Sequence, residues 1–207
     1  MLTASNGSWS KRLLYNFCSL PNCSDGANPN GGLTFDSQGN LYGATAAVVY
    51  QLAQSSGSWT ESVQNRHGGG DFFGGPTFIN GHLYGTAEFG GTDNYGLVYE
   101  LSDTVSGWKE FEYSFDGQDG ANPSAGVIKD RAGNFDGVAG STFSCGVVYS
   151  LARKNGTVSE TILHNFIGSP DGCGPIGSLS QDASGRLYGV TMQGGTYNEG
   201  VVFEITR

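Results

Sequence analysis

Apolar and polar positions alternate along most of the chain in short runs, and Gly, Asn, Asp and Ser separate one run from the next. Alternation at period two, bounded by turn formers, predicts half-buried β-strands joined by tight hairpins. The first full set of runs gives strand a at 31–36 ("GGLTFD"), strand b at 41–46 ("LYGATA"), strand c at 48–53 ("VVYQLA") and strand d at 59–65 ("WTESVQN"). The turns "SQGN" and "QSSGS" between them carry the residues that adopt positive φ at least cost.

The set then returns. Strands a, b and c are expected again at 74–79, 82–87 and 97–102, at 125–130, 134–139 and 147–152, and at 176–181, 186–191 and 201–206. The heptad "GNLYGAT" (39–45) recurs as "GHLYGTA" (81–87), "GNFDGVA" (133–139) and "GRLYGVT" (185–191). Trp9, Trp59 and Trp108 follow at spacings of 50 and 49, and Val158 holds the next place. Self-similarity at this period, with four short strands per repeat, points to propeller blades. The Tyr and Gly of "LYG" read as core and turn. Asp136 replaces that Tyr in the third copy, and a charge there must be solvated or paired. Its place near the start of strand b predicts a local pair or exposure at the ring's other end, not a dyad with His67.

The chain opens with a strand of type d (9–17) and closes after one of type c. The expected architecture is all-β and a single domain over 1–207, a four-bladed β-propeller. Its blades lie at 31–65, 74–114, 125–165 and 176–206 plus 9–17. Pairing the N-terminal strand into the last blade would close the ring and cover a sheet edge. An open solenoid of β-hairpins is the alternative.

Composition agrees with this and narrows the partners. The 35 glycines and 12% aromatics suit many tight turns and strands, while only 14% of residues are charged. A net charge of −9 with no basic cluster repels phosphate backbones and anionic membrane surfaces, so nucleic acid is excluded as a partner. No apolar run approaches the ~20 residues of a membrane helix. The start "MLTASNGSWSKR" lacks the apolar core of a signal peptide, and the natural chain is expected to be longer.

The ordered combination "DGANP…GL.FD..GNLYG.T…GG…G.VYEL…GW.E…Y.F" resembles the GloVer-type tandem repeat of bacterial proteins, over essentially residues 8–207. The resemblance implies an extracellular or surface-anchored repeat protein, and a propeller. It carries over no catalytic residue. The chain departs from the pattern in the short b–c loop at 45–47, in a second repeat without "DGANP", and at Asp136.

Four cysteines fit the blade scheme. Cys18 and Cys23 bracket one short loop, while Cys145 and Cys173 lie in a b–c loop and the following d–a loop, which emerge on the same face. Disulfides Cys18–Cys23 and Cys145–Cys173 are expected, in keeping with an oxidising compartment. Zinc is the rival, but the spacing and the lack of a nearby His suit it poorly.

The face bearing the d–a and b–c loops concentrates Asp25, Asp71, Asp116, Asp119, Asp171, Glu88, Asp93 and Glu199 among Phe72, Phe73, Phe89, Tyr95, Phe143 and Tyr197. Aromatic faces beside carboxylates suit sugar rings. The Asp of each "DG" reads first as a residue that holds its loop. The second repeat departs most. In "NRHGGGDFFGGP" (65–76), His67 follows Arg66 and takes the place of Phe17, which makes it a candidate acid or base. The catalytic candidates are Asp71, Glu88 and His67. The ligand-binding candidates are Arg66, Phe72, Phe73, Phe89, Asp93, Tyr95, Asp119, Phe143, Tyr197 and Glu199. His82 and His164 read as structural. No cofactor is expected, calcium being the one that loop oxygens could take, although no calcium-loop pattern occurs.

The reading that follows is a secreted, monomeric propeller that binds a carbohydrate or another extracellular ligand on its loop face. An extracellular polysaccharide hydrolase or lyase is the alternative, drawing on Asp71, Glu88, Asp93, Asp119 and His67. A structural repeat module is a third. Fold alone does not separate them.

Overall fold

Each repeat folds into its own antiparallel sheet. The computed structural model describes residues 2–5, 8–66, 74–104, 107–142 and 144–207. The first sheet holds β3 (Asn30–Phe35), β4 (Leu41–Ala44), β5 (Val48–Ser55) and β6 (Ser58–Arg66) in that order. The second holds β7 (Gly74–Ile79), β8 (His82–Ala87), β9 (Leu97–Thr104) and β10 (Gly107–Ser114). The third holds β11 (Ile128–Lys129), β12 (Phe135–Ala139), β13 (Val147–Lys154) and β14 (Thr157–Asn165). The fourth has three strands, β15 (Cys173–Gln181), β16 (Leu187–Gln193) and β17 (Val202–Ile205). The fold is thus all-β and propeller-like, with β3, β7, β15 and the segment 124–126 before β11 lining a common channel of about 390 Å³.

The glycine of "LYG" has a different task from the one expected. Gly85 lies inside β8, not in a turn, and a Cβ there would fall 2.3 Å from the hydroxyl of Tyr99. Gly43 and Gly137 make the same room for Tyr50 and Tyr149, and Gly189 for Phe203. The repeat therefore keeps a glycine so that the large ring of strand c can lie flat across strand b. The inner strands are glycine-rich for a similar reason. A Cβ on Gly75 would meet the backbone of Gly32 at 2.2 Å. Strand a of the third repeat shrinks to Ile128–Lys129, because the chain before it turns inward to the channel instead of continuing the ladder.

Side chains from adjacent sheets form the core. Tyr42, Ala44 and Val49 of the first sheet pack on Leu83, Leu97 and Tyr99 of the second. Tyr84 and Val98 of the second meet Phe115, Val147 and Tyr149. Val138 and Val148 of the third meet Phe166, Leu179 and Leu187. The equivalent face of the fourth sheet is uncovered among the described residues, with Val190 41% and Val202 80% exposed.

The N-terminal segment corrects the expected ring closure. β1 (Leu2–Ser5) pairs with β2 (Ser8–Lys11) in a separate hairpin, and neither joins β17. Residues 12–16 form no strand, yet Leu14, Tyr15 and Phe17 pack on Leu41, Tyr50 and Leu52 of the first sheet, as a d strand would. The dipeptide Asn6-Gly7 between β1 and β2 is the strongest short-range hairpin signal. Local pairing also closes a far shorter loop than pairing with the chain's other end. Both expected disulfides form, Cys18–Cys23 and Cys145–Cys173.

Candidate functional site

On the loop face, the described aspartates of the d–a loops are engaged in holding those loops. Asp25 accepts hydrogen bonds from the Tyr15 hydroxyl, the Ser19 hydroxyl and the Ser19 backbone N–H. Burial works to raise its pKa, but these donors outweigh it and hold the carboxyl well below the usual range. Asp119 accepts from Tyr113 and from the backbone of Asp116, and Asp171 from His164 and the backbone of Ile167. His164 thus stands where Tyr15 and Tyr113 stand in two of the other copies.

Tyr95 is half-buried and its ring covers Gly117. Tyr197 is 87% exposed, Asp93 and Glu199 are exposed, and Phe89 lies at the surface. Glu88 is half-buried beside Asn122, whose side chain donates to its carbonyl. Arg66 donates to the Ser24 carbonyl. His67, Asp71, Phe72, Phe73 and Phe143 lie outside the described residues. Among the described residues the central channel offers Gly, Ser and Thr but no acid or base.

The opposite end of the sheets, where the a–b and c–d hairpin turns lie, has a groove of about 390 Å³ between the first and second sheets. Its volume falls within the ~300–1,000 Å³ of small-ligand pockets. Asp36 stands on its first-sheet side. Its Oδ1 accepts from the backbone N–H groups of Gln38 and Asn40, and its Oδ2 from the Asn40 amide at 2.7 Å and the Tyr42 hydroxyl at 3.2 Å. Burial opposes ionisation, but these bonds keep the carboxyl below its ordinary value. Gln51 donates to the Tyr42 oxygen at 2.6 Å. Burial, then the charge of Asp36, pushes the Tyr42 hydroxyl up to about 12, with Asp103 contributing from across the groove. Asp103 ends β9 on the second-sheet side, opposite Trp108 on β10. Tyr42 stacks on Phe78 at 5.6 Å and meets the edge of Trp108 at 6.0 Å. The groove thus combines aromatic walls, amides and two carboxylates. Sequence patterning took Trp108 as a repeat marker and passed over Asp36 and Asp103. The available signal was charge reversal at one repeat position, Asp103 against Arg153 and Arg207.

Asp136 finds the local pair expected of it. It is fully buried in β12 and binds the guanidinium of Arg207, which also holds Asp130 and donates to the Ser150 hydroxyl at 3.2 Å.

A family model described as the Gloeobacter/Verrucomicrobia repeat matches residues 45–207. The chain belongs to this repeat family. Among curated proteins it is similar to outer membrane porin N of Escherichia coli (strain K12), with 28% identity over 175 residues, 81% of this chain and 43% of the porin. Among solved structures it is similar to a gluconolactonase from Xanthomonas campestris, at 14% identity and a TM-score of 0.52. That match covers 84% of this chain and 61% of the gluconolactonase, and it shows a shared fold alone. The Gloeobacter/Verrucomicrobia repeat thus spans less than half of the porin and about three-fifths of the enzyme.

Proposed function

We propose that the protein is an extracytoplasmic carbohydrate-binding module that seats a sugar in the groove between its first two sheets. The carrying observation is the lining itself, where Trp108 and Tyr42 supply ring faces and Asp36, Asp103, Asn40 and Gln51 supply hydroxyl-directed polar groups. Two disulfides agree with an oxidising compartment, and the relative named as an outer membrane porin agrees with a place at the cell surface. A binding module is favoured over a hydrolase because Asp119, one of the acids that the hydrolase reading draws on, holds its own loop.

A panel of polysaccharides tests the reading, with retention and newly released reducing ends measured on the same samples. Retention without release is expected, weakened at least about tenfold in Trp108→Ala, in line with loss of a stacking platform. Release would instead make the protein an enzyme and direct attention to Glu88, Asp71 and His67. Silence in both assays would refute the carbohydrate reading.

A further inference from the structure

The repeated sheets contain their own control for the groove. One position reaches from each later sheet towards the sheet before it, and it is occupied by Asp103, Arg153 and Arg207 in turn. Arg153 crosses to the second sheet, where its Nη1 lies 2.5 Å from Glu100 and its guanidinium 4.5 Å from the centre of the Phe111 ring. Arg207 crosses to the third sheet and bridges Asp130 and Asp136. At both seams a cation from the later sheet meets a carboxylate on the earlier one. At the first seam Asp36 remains as the counterpart of Asp130, while Gln51 takes the place of Glu100 and Asp103 that of the arginine.

The turn aspartates repeat the comparison independently. Asp36, Asp130 and Asp182 occupy the same turn, each accepting a backbone bond from the residue four places on. Asp130 accepts the amide of Asn134 as Asp36 accepts that of Asn40, and it also holds Arg207. Asp182 accepts the Tyr188 hydroxyl at 3.2 Å, as Asp36 accepts that of Tyr42, and still binds Arg186 at 2.7 Å. Neither an amide nor a tyrosine partner therefore prevents this carboxylate from binding a cation. Asp36 alone of the three has no cationic partner among the described residues.

No lysine or arginine among the described residues lines the groove. His82 is engaged elsewhere, its Nδ1 lying 2.9 Å from Glu100 and 2.8 Å from the Ser102 hydroxyl. Trp108 replaces the Val158 of the next repeat, so the place left by a side-chain guanidinium is walled by an indole. Ammonium groups beside aromatic faces gain further attraction.

We infer that the groove selects a sugar bearing a primary ammonium group, an amino sugar whose cation sits between Asp36 and Asp103 where arginine sits at the other two seams. The inference rests on the carbohydrate reading above.

Calorimetric titration with β-1,4-linked glucosamine oligomers and with N-acetylglucosamine oligomers of equal length tests it, at about pH 6 where the free amine is charged. The glucosamine oligomer is expected to bind at least about tenfold more tightly than its acetylated counterpart, because a charge-assisted contact is lost on acetylation. Its affinity should fall several-fold as salt rises from about 0.05 to about 0.5 M. Asp103→Arg should fill the groove from within, abolish the preference and leave the unfolding temperature unchanged or higher. Asp103→Asn should weaken binding of the charged oligomer alone. Equal affinity for both oligomers overturns the cation inference and leaves the carbohydrate reading standing. An undiminished preference in a folded Asp103→Arg protein also overturns it, by placing the ammonium elsewhere. Binding of neither oligomer, with silence across the neutral polysaccharide panel, overturns both.

Discussion

Replacing Glu160 by glutamine exposes a titration hidden in the third sheet. The hydroxyl of Tyr113 has one proton to give, yet it lies 2.5 Å from Asp119 and 3.0 Å from Glu160. With one proton for two carboxylates the phenol cannot compensate both, and Glu160 is the one that burial favours in its protonated form. Burial first, and then the charge of Asp119, push the Glu160 carboxyl from 4.5 up to about 8. Between those values the folded protein keeps a proton that the unfolded chain has released. Stability is therefore full below the lower value and falls as pH rises through the window.

At about 1.36 kcal/mol per pH unit, the window sets a ceiling of roughly 5 kcal/mol. The residue is only half-buried, which brings the expected loss to about 2 kcal/mol. Glutamine keeps the shape and can donate its amide to the same oxygen, but it does not titrate. Urea unfolding at about pH 5 and about pH 9 measures the difference. The wild type should lose about 2 kcal/mol more than Glu160→Gln across that range. A smaller slope should survive in the variant, because burial also raises Glu61, which stands in the same place beside Asp25 and Tyr15. Parallel pH profiles for the two proteins would refute the reasoning.

Two further perturbations probe the frame. Arg207→Ala leaves Asp136 buried without its cation and should cost about 3 kcal/mol in denaturant unfolding. Asp136→Tyr in that background should recover part of the loss by restoring the tyrosine–aspartate contact of the first and fourth sheets, and no recovery would count against the equivalence. Reduction of Cys145–Cys173, which spans a sequence separation of 28, should cost about 3 kcal/mol. A Cys145→Ser/Cys173→Ser protein melting at the wild-type temperature would show the link to be dispensable.

Much of the frame was legible because the repeat wrote it several times. Strands b and c of each sheet fall where alternation placed them, since buried Tyr99 and Tyr149 sit at the same register as Tyr50. The pairing of Cys145 with Cys173 followed from loops of two types sharing one face. The fate of residues 9–17 was harder to read, because side-chain packing and backbone pairing part company there. Tyr15 and Phe17 keep their place against Tyr50, whereas Trp9 pairs with Ala4. The groove was invisible to a search for dense acids and aromatics. Its two carboxylates lie on different repeats, 67 positions apart, and only the seam between sheets brings them to one cavity.

The three hydrophobic seams give the molecule an almost linear chain of dependencies. The second and third sheets are gripped on both faces, by clusters centred on Tyr99 and Tyr149 and on their neighbours. The fourth sheet is gripped on one face only among the described residues. Stability in such an array behaves as a sum of nearest-neighbour terms, and opening need not be all-or-none. Amide protons of β9 and β13 should exchange last, and those of β17 first. The groove lies against the slow-exchanging part of that gradient, so its walls hold their spacing while the far end of the array breathes.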